Sequence, residues 1–400
     1  MFWRFINTKP NTERCNRHVA KRSVRPPHFN FYQRGSGIPS VAWGEPARIM
    51  ILAEPPLKKC DLRNTPILSV LKYFLMAKIL ITGGAGFIGS NFIHHVLQTY
   101  PEIEVVNLDA LTYAGNLANL KDIEKDPRYT FIQGDITDEK CVNRAFKEHQ
   151  PSVVFNFAAE THVDRSIHGP KAFIMTDVLG TYTLLEAVKT HATPLYIQIS
   201  TDEVYGSTHD GEFTEESPFL PNSPYSASKA GGDHLVRAYH HTYGLPVIAI
   251  HSCNVFGPYQ FPEKVIPRFV TNLIQGKKVP IYGTGQNVRE WIFTQDFCHA
   301  LDFVWQKAKP GEVFNIGTGQ RISNLELTTK ILHLLGKGPD QIEYVADRLG
   351  HDFRYALSAE KIRALGWKPT YDFDAALQLT VEWYKNHEIW WKPLLPNSSL

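Results

Sequence analysis

Four hundred residues suffice for two domains or one large one, and 43% hydrophobic against 20% charged residues is the balance of a globular chain, not a disordered or fibrous one. A net charge of +2 provides no global attraction to nucleic acid. No stretch reaches the roughly 18 uninterrupted apolar residues of a membrane helix; the best run, 67–81, is broken by Lys72 and Lys78. Neither nucleic acid nor membrane is therefore expected as a partner.

Residues 1–75 stand apart. They carry 13 Lys+Arg against 4 Asp+Glu and hold 8 of the 26 prolines, while the remainder of the chain is net acidic. No helical or strand period runs through them. Three readings fit: an organelle transit peptide, a disordered tail, or a non-native extension ahead of a true start at Met76, which immediately precedes the first strong strand pattern. The five cysteines, Cys15, Cys60, Cys141, Cys253 and Cys298, are widely spaced and odd in number. Neither a disulfide framework nor a metal site is expected from them, and a reducing, cytoplasmic setting is.

From residue 77 onward short apolar runs alternate with amphipathic stretches. Strands are predicted at 78–82, 105–109, 129–135, 153–159, 195–200 and 247–252. Helices are predicted near 87–99, 138–149, 172–190 and 226–243. Nearly continuous Val/Ile/Leu/Phe runs suit strands buried on both faces of a parallel sheet. The alternation predicts an α/β fold with a doubly wound parallel Rossmann sheet over 76–252. Beyond residue 255 the pattern loosens, and 253–395 is expected to form mainly a smaller C-terminal substrate-binding lobe over the carboxyl ends of the strands.

The first strand runs into Gly83-Gly-Ala-Gly86-Phe87-Ile88-Gly89. Glycines let the backbone turn tightly against a pyrophosphate, and the helix N-terminus behind them offers unpaired N–H groups. Glycine-rich turns are common, but here strand, turn and helix come in the required order. Asp109 ends the second strand twenty residues after Gly89, placed to accept bonds from ribose hydroxyls and to repel a 2′-phosphate, which favours NAD over NADP. Asp135 is read as ending the third strand and Ala158-Ala159 the fourth, where small residues leave room for a ligand, although ordinary packing explains the alanines equally well.

Two further segments carry chemistry. Ser200-Thr201-Asp202-Glu203-Val-Tyr-Gly206 closes a buried strand, and Tyr225-Ser-Ala-Ser-Lys229 follows. Tyr and Lys four apart share one helix face. A neighbouring ammonium favours a phenolate, so the Tyr225 pKa is expected to fall from about 10 towards neutrality, making it a base for an alcohol being oxidised. The bland reading of adjacent acids at a strand end is an exposed turn; their place ahead of Tyr-x-x-x-Lys in an NAD fold argues for a site.

Gly-x-x-Gly-x-x-Gly with Tyr-x-x-x-Lys resembles the extended short-chain dehydrogenase/reductases. The segments Ile81–Ser90, Asp109–Asn116, Ala158–Ser166, Ser200–Gly206, Gly257-Pro-Tyr-Gln-Phe-Pro-Glu-Lys264 and Tyr344-Val-Ala-Asp-Arg348 narrow the resemblance to the nucleotide-sugar 4,6-dehydratases over residues 77–390. Thr-Asp-Glu, where related epimerases have Ser-Ser/Thr, is the most discriminating feature. The resemblance implies a lyase that oxidises C4 of a nucleotide-linked glucose, eliminates water across C5 and C6, and returns the hydride to C6. Tyr225 would take the 4-hydroxyl proton, Thr201 would hydrogen-bond the same oxygen, Glu203 would remove the C5 proton and a protonated Asp202 would donate to the departing hydroxyl, with Lys229 beside Tyr225. Burial or a close second carboxylate would have to raise the Asp202 pKa from about 4.

By the same resemblance, Gly83, Gly86, Phe87, Ile88, Gly89, Asp109, Leu111, Thr112, Asp135, Ile136, Ala158, Ala159, Thr176, Tyr225 and Lys229 would contact NAD. Thr161, Thr201, Asn254, Lys264, Arg289, Asn315, Asp347, Arg348 and His351 would contact the nucleotide-sugar substrate, Arg289 as a bidentate diphosphate clamp. A homodimer through the Tyr225 helix and its neighbour is implied as well.

Departures from the family pattern stand at Val255 and Phe256, where Asn and Tyr are usual, and at Leu349, where Pro is. They leave the implied nucleotide open between dTDP, taken as the main reading, and UDP. The rival readings are a UDP-sugar 4-epimerase or decarboxylase, neither of which needs an Asp-Glu pair, and a non-catalytic NAD-binding sensor, which would be free to lose Tyr225 or Lys229.

Overall fold

The computed structural model describes residues 78–395; the readings of residues 1–75 lie outside them. The described residues lie within a single unit, Asp61–Leu400. Their strands, in chain order, are β1 (Lys78–Thr82), β2 (Glu104–Asp109), β3 (Tyr129–Gln133), β4 (Val153–Asn156), β5 (Leu195–Thr201), β6 (Val247–Ser252), β7 (Asn254–Phe256), β8 (Val279–Tyr282), β9 (Val288–Phe293), β10 (Val313–Ile316), β11 (Arg321–Ser323) and β12 (Ile342–Val345).

Seven of them form one sheet in the order β10-β6-β5-β4-β1-β2-β3, every pairing parallel. The fold is the expected α/β doubly wound Rossmann type. Alternation within each strand explains why the runs are apolar throughout. Ile79, Ile81, Val105, Phe155, Ile197 and Ile248 face one core, while Leu80, Val106, Val154, Tyr196 and Val247 face the other. The helices Phe87–Thr99 and Thr294–Lys307 cover the first face through Phe92, Val96, Phe297 and Leu301. Glu139–His149, Thr181–Thr190 and Pro224–Tyr243 cover the second through Phe146, Leu184 and Val236.

The order reverses between β1 and β4. Successive crossovers leave in opposite directions from that point, which opens a crevice beyond the carboxyl ends of the two strands, the place where ligands bind in such sheets.

Several boundaries differ from the sequence expectation. Strand β3 stops at Gln133, because Gly134 follows and Asp135 accepts from the N–H and hydroxyl of Thr137 (2.8 and 2.9 Å), a turn that ends the ladder. Strand β4 stops at Asn156, so Ala158 and Ala159 lie in the loop beyond it. Its neighbour β1 turns away at Gly83, and the last ties between them run to the carbonyl and hydroxyl of Thr82. The helical run expected at 172–190 starts at Pro170 and contains a π-helical segment, Ile174–Gly180. The run expected at 226–243 starts at Pro224, capped by the Ser223 hydroxyl on the Ser226 N–H (3.0 Å).

The lobe is not one continuous stretch after residue 252. The chain leaves for β7 to β9, returns with the Thr294–Lys307 helix and β10 to extend the main sheet, then leaves again. Strands β11-β9-β7 and β12-β8 form two small sheets, and Phe256, Phe269, Trp291, Leu327, Leu377 and Tyr384 share a separate core. The usual family Tyr is replaced at Phe256 without an orphaned polar group, since that ring is fully buried against Trp291, Phe293 and Phe373.

Gly83 has φ +67°, and a Cβ there would sit 2.6 Å from the Ala158 nitrogen; Gly211 has φ +76° but open space around it. Gly211→Ala should therefore cost only the backbone strain of about 1–2 kcal/mol. Gly83→Ala should cost a further ~1–3 kcal/mol from the clash, read as the larger fall in Tm. Equal falls would show that the two chain segments are not pressed together as described.

Candidate active site

The crevice is lined by the glycine turn, the ends of β2, β4 and β5, and the first turns of the Pro224–Tyr243 helix. The turn is built by exclusion of side chains. Besides Gly83, a Cβ on Gly89 would lie 2.4 Å from the Gly83 carbonyl, whereas one on Gly86 would meet only that carbonyl, at 3.2 Å, and would otherwise occupy the crevice. The helix that follows has Gly86 as its cap, no side-chain cap bond and no acid in its first turn. Its first N–H groups and positive end are left for an anion.

Asp109 is buried, and its two carboxylate oxygens accept from the Ala85 and Leu111 N–H groups, each at 2.8 Å. Burial raises its pKa, and those two bonds act the other way. Each oxygen keeps a lone pair for a ribose hydroxyl. Asn119, unforeseen in the sequence, braces the turn from behind by donating to the Ala85 carbonyl (2.9 Å). A cradle that only glycine leaves open, an uncapped helix end and a carboxylate beyond it fit a dinucleotide.

Thr112, Asp135, Ile136, Ala158, Ala159, Thr161, Thr176, Asn254 and Lys264 also line the crevice, with Phe87 and Ile88 from the turn. Leu111 does not face it; the residue adopts φ +53° and presents its N–H to Asp109.

Thr201, Asp202, Glu203, Tyr225 and Lys229 line the same crevice. Thr201 closes β5 and caps the 3-10 turn Asp202–Tyr205, accepting from the Glu203 N–H at 3.2 Å. That turn swings both acids off the sheet edge into the crevice. Asp202 is only 2% exposed. Thr201 donates to its Oδ1 (3.2 Å), while its Oδ2 has no partner among the described residues. Burial first, then the Glu203 and Glu290 carboxylates, push its pKa well above the usual carboxylate range. A carboxyl so placed keeps its proton and can donate it.

Glu203 differs. Burial raises its pKa, but Arg289, Arg348 and Lys264 are the next influences and favour its charged form, as does the Ser226 hydroxyl, 3.2 Å from its Oε2. The Tyr355 hydroxyl reaches the same oxygen at 3.3 Å. Both carboxyls are raised by burial, but the next influences are carboxylates on Asp202 and cations on Glu203.

The expectation for Tyr225 needs correction. Its pKa is not lowered; burial and the Glu203 and Asp177 carboxylates hold it well above the usual phenol value, with the Thr201 hydroxyl acting the other way. The Lys229 ammonium instead donates to the Ile199 carbonyl at 2.8 Å, pinning the helix to β5. Asp177, on the π segment, was also missed. It is buried, accepts from the Ser228 hydroxyl (2.7 Å), and has a pKa pushed up to about 6 by burial.

Arg289, on β9, is not among the crevice-lining residues, although its charge acts on Glu203; its guanidinium donates to the carbonyls of Val288 (2.8 Å) and Asp352 (2.9 Å) and lies over the Tyr355 ring. Lys264 donates to the Thr161 carbonyl (2.6 Å). Arg348 lies 3.6 Å from Asp164, and Asp347 pairs with His351 (2.6 Å) at the outer loop. Asn315 is not brought to the crevice: it sits on β10, fully buried, accepting from Tyr205 (2.9 Å) and donating to the Phe213 carbonyl (3.0 Å).

The family model described as GDP-mannose 4,6 dehydratase matches residues 80–380. A dTDP-glucose 4,6-dehydratase of Xanthomonas campestris pv. campestris is 48% identical over 81% of this chain and 97% of its own length. The low-salt glycan biosynthesis protein Agl12 of Haloferax volcanii is 51% identical over 76% of this chain and 98% of its own. The crystal structure of the Streptomyces venezuelae dTDP-glucose 4,6-dehydratase with NAD and TYD bound is 48% identical, covers 80% of this chain and all of that one, and superposes with a TM-score of 0.78.

A raised carboxyl pKa means stability that is full below about pH 4 and is lost as pH rises through the folded value. For Asp177 that window runs from about 4 to 6. Asp177→Asn should therefore gain in Tm relative to the wild-type protein as pH rises across it, and a Tm difference constant from pH 4 to 7 would contradict the assignment.

Proposed function

The chain belongs to the nucleotide-sugar 4,6-dehydratase family, and from that premise we propose that it converts dTDP-glucose to dTDP-4-keto-6-deoxyglucose and water. The observation that carries the reading is the Asp202–Glu203 pair, lining one crevice with Tyr225, with carboxylates the next influence after burial on Asp202 and cations the next on Glu203. An epimerase moves one proton and one hydride at C4 and has no use for such a pair.

The chemistry explains the arrangement. A hexose C5–H is not acidic and the C6 hydroxyl leaves poorly; a ketone at C4 turns the C5 carbanion into an enolate. Tyr225 takes the 4-hydroxyl proton, with the Thr201 hydroxyl on the same oxygen. Glu203 then removes the C5 proton while Asp202 protonates the departing hydroxyl. When bound, NAD supplies the hydride acceptor and donor, and in its oxidised form a positive charge that offsets the carboxylates around Tyr225. Gly83, Gly86, Gly89 and Asp109 hold it, and Lys229 fixes the Tyr225 helix against β5. Lys264, Arg289 and Arg348 bring positive charge to the side of the crevice where a diphosphate would lie. General acid–base help of this kind is typically worth about 10²–10⁴ in rate per group.

We also infer a homodimer. Ile174 (54% exposed), Met175, Leu179 and Tyr182 line the outside of the run from Pro170 to Thr190, with Tyr243 (55%) at the end of the adjacent helix. An apolar patch across two packed helices suits a second copy of the same surface. The free thiols of Cys141, Cys253 and Cys298 suit a reducing, cytoplasmic location. No helix among the described residues is long and apolar enough to cross a membrane.

Incubation with dTDP-glucose and NAD should generate the alkaline chromophore of a 4-keto sugar, faster than with UDP-glucose; no chromophore from either, or recovery of an epimer, would overturn the reading. Tyr225→Phe should abolish C4 oxidation, whereas Asp202→Asn should oxidise C4 but eliminate water about 10²-fold or more slowly. Normal formation of reduced cofactor in Tyr225→Phe, seen by stopped-flow absorbance, would remove Tyr225 as the base. Light scattering should give twice the chain mass, and Met175→Lys should reduce it to one; a dimeric variant would place the interface elsewhere.

A further inference from the structure

Behind the acids lies a buried polar chain that the reaction does not touch. Ser200 and Tyr205 flank the Thr201–Glu203 segment. The Ser200 hydroxyl donates to Asp233 Oδ2 (2.6 Å), and the same oxygen meets His251 Nε2 (3.2 Å). His251 Nδ1 meets the Tyr205 hydroxyl (2.7 Å), which bonds Asn315 Oδ1 (2.9 Å). Asp233 stands one helical turn beyond Lys229 on the helix that carries Tyr225, and His251 is the register partner of Ser200 across β5 and β6. Four elements, β5 with its 3-10 turn, the Tyr225 helix, β6 and β10, meet in this chain.

The proton positions follow from donor counting. Asn315 Nδ2 donates to the Phe213 carbonyl, so its Oδ1 faces Tyr205 and can only accept. The single Tyr205 proton goes there, and the Tyr205 oxygen must accept from His251 Nδ1–H. The His251 Nε2–Asp233 Oδ2 contact joins this run to the Ser200–Asp233 bond. The links from His251 through Tyr205 to Asn315 therefore run one way, as does that from Ser200 to Asp233.

Stability alone does not account for it. His251 is 1% exposed and Asp233 4%, and Asp233 Oδ1 has no partner among the described residues. Well-packed apolar side chains of the same volume are often no less stable than a buried ionisable pair. What the chain supplies is direction: it grips the acid-bearing turn on both sides and ties it to the helix of the base.

We propose that His251, through Asp233 and Tyr205, is a positioning residue that locks the Asp202–Glu203 turn onto the Tyr225 helix, so that water elimination depends on it more than C4 oxidation does. Tyr225 itself is placed by the Ser223 cap and by Lys229 on Ile199, which the chain does not include. The proposal rests on the dehydratase reading above and extends it from the groups that touch substrate to those that aim them.

Single-turnover kinetics on the full-length protein separates the two steps, following the absorbance of reduced nicotinamide for oxidation and the release of 4-keto product for elimination. Tyr205→Phe keeps the buried ring and deletes only the hydroxyl. It should leave oxidation within about 3-fold of wild type and slow elimination about 10- to 100-fold, the scale of an ångström-sized misplacement. Reduced cofactor should accumulate as a result. His251→Leu should act in the same direction and more strongly. Parallel loss of both steps in Tyr205→Phe would mean a merely structural role, and no change in either would mean no role; both outcomes overturn the proposal, whether or not His251→Leu folds. If wild-type protein yields no 4-keto product from dTDP-glucose, the dehydratase reading fails first, which distinguishes the two failures.

Discussion

Two carboxyls at neighbouring positions, Asp202 buried and Glu203 partly so, are the constraint on which the rest depends. Two like charges a few ångströms apart in a weakly screening interior repel by several kcal/mol even at an effective dielectric of about 20, so the pair cannot comfortably hold both. The fold resolves the conflict asymmetrically. Asp202 receives no cation of weight comparable to its neighbouring carboxylates and keeps a free oxygen, while Glu203 looks towards Arg289, Arg348 and Lys264. The difference between the two acids is a property of position, and it suits the donor and acceptor that the proposed removal of water across two carbons requires.

Position in turn comes from sheet topology. A parallel sheet sends all its carboxyl ends to one side, and the reversal between β1 and β4 leaves that side open. The glycine turn follows β1 at this opening, and the acids follow β5 one strand further along. The Tyr225 helix packs across β5 and is nailed to it by Lys229. The interleaved lobe then delivers Arg289 from β9 and Arg348 from the loop after β12, so charge from outside the main sheet favours the charged form of Glu203.

Much of this was legible in the residues. Six apolar runs announced the main sheet because strands covered on both faces must be apolar throughout, and the order of strand, glycine turn and helix located the crevice. Strand β10 is not legible because the five residues between Gly311 and Gly317 carry no period, and its membership of the sheet is decided by long-range pairing with β6. The family resemblance implies a ligand contact for Asn315, whereas the side chain bonds Tyr205 and the Phe213 carbonyl. The Tyr225 expectation failed because spacing shows the ammonium four residues away but not the burial or the carboxylates of Glu203 and Asp177 that outweigh it. Asp177, Glu290 and His251 have no local motif; only the packing of distant segments brings them near the acids.

The central claim is that Asp202 carries a proton at neutral pH. Isotope-edited infrared difference spectroscopy, wild type against Asp202→Asn, reads it directly through the carbonyl stretch of a protonated carboxyl. The account predicts a band at pH 7 that is absent from the variant and persists as pH is raised further. A band lost with ordinary aspartates near pH 4 would contradict it.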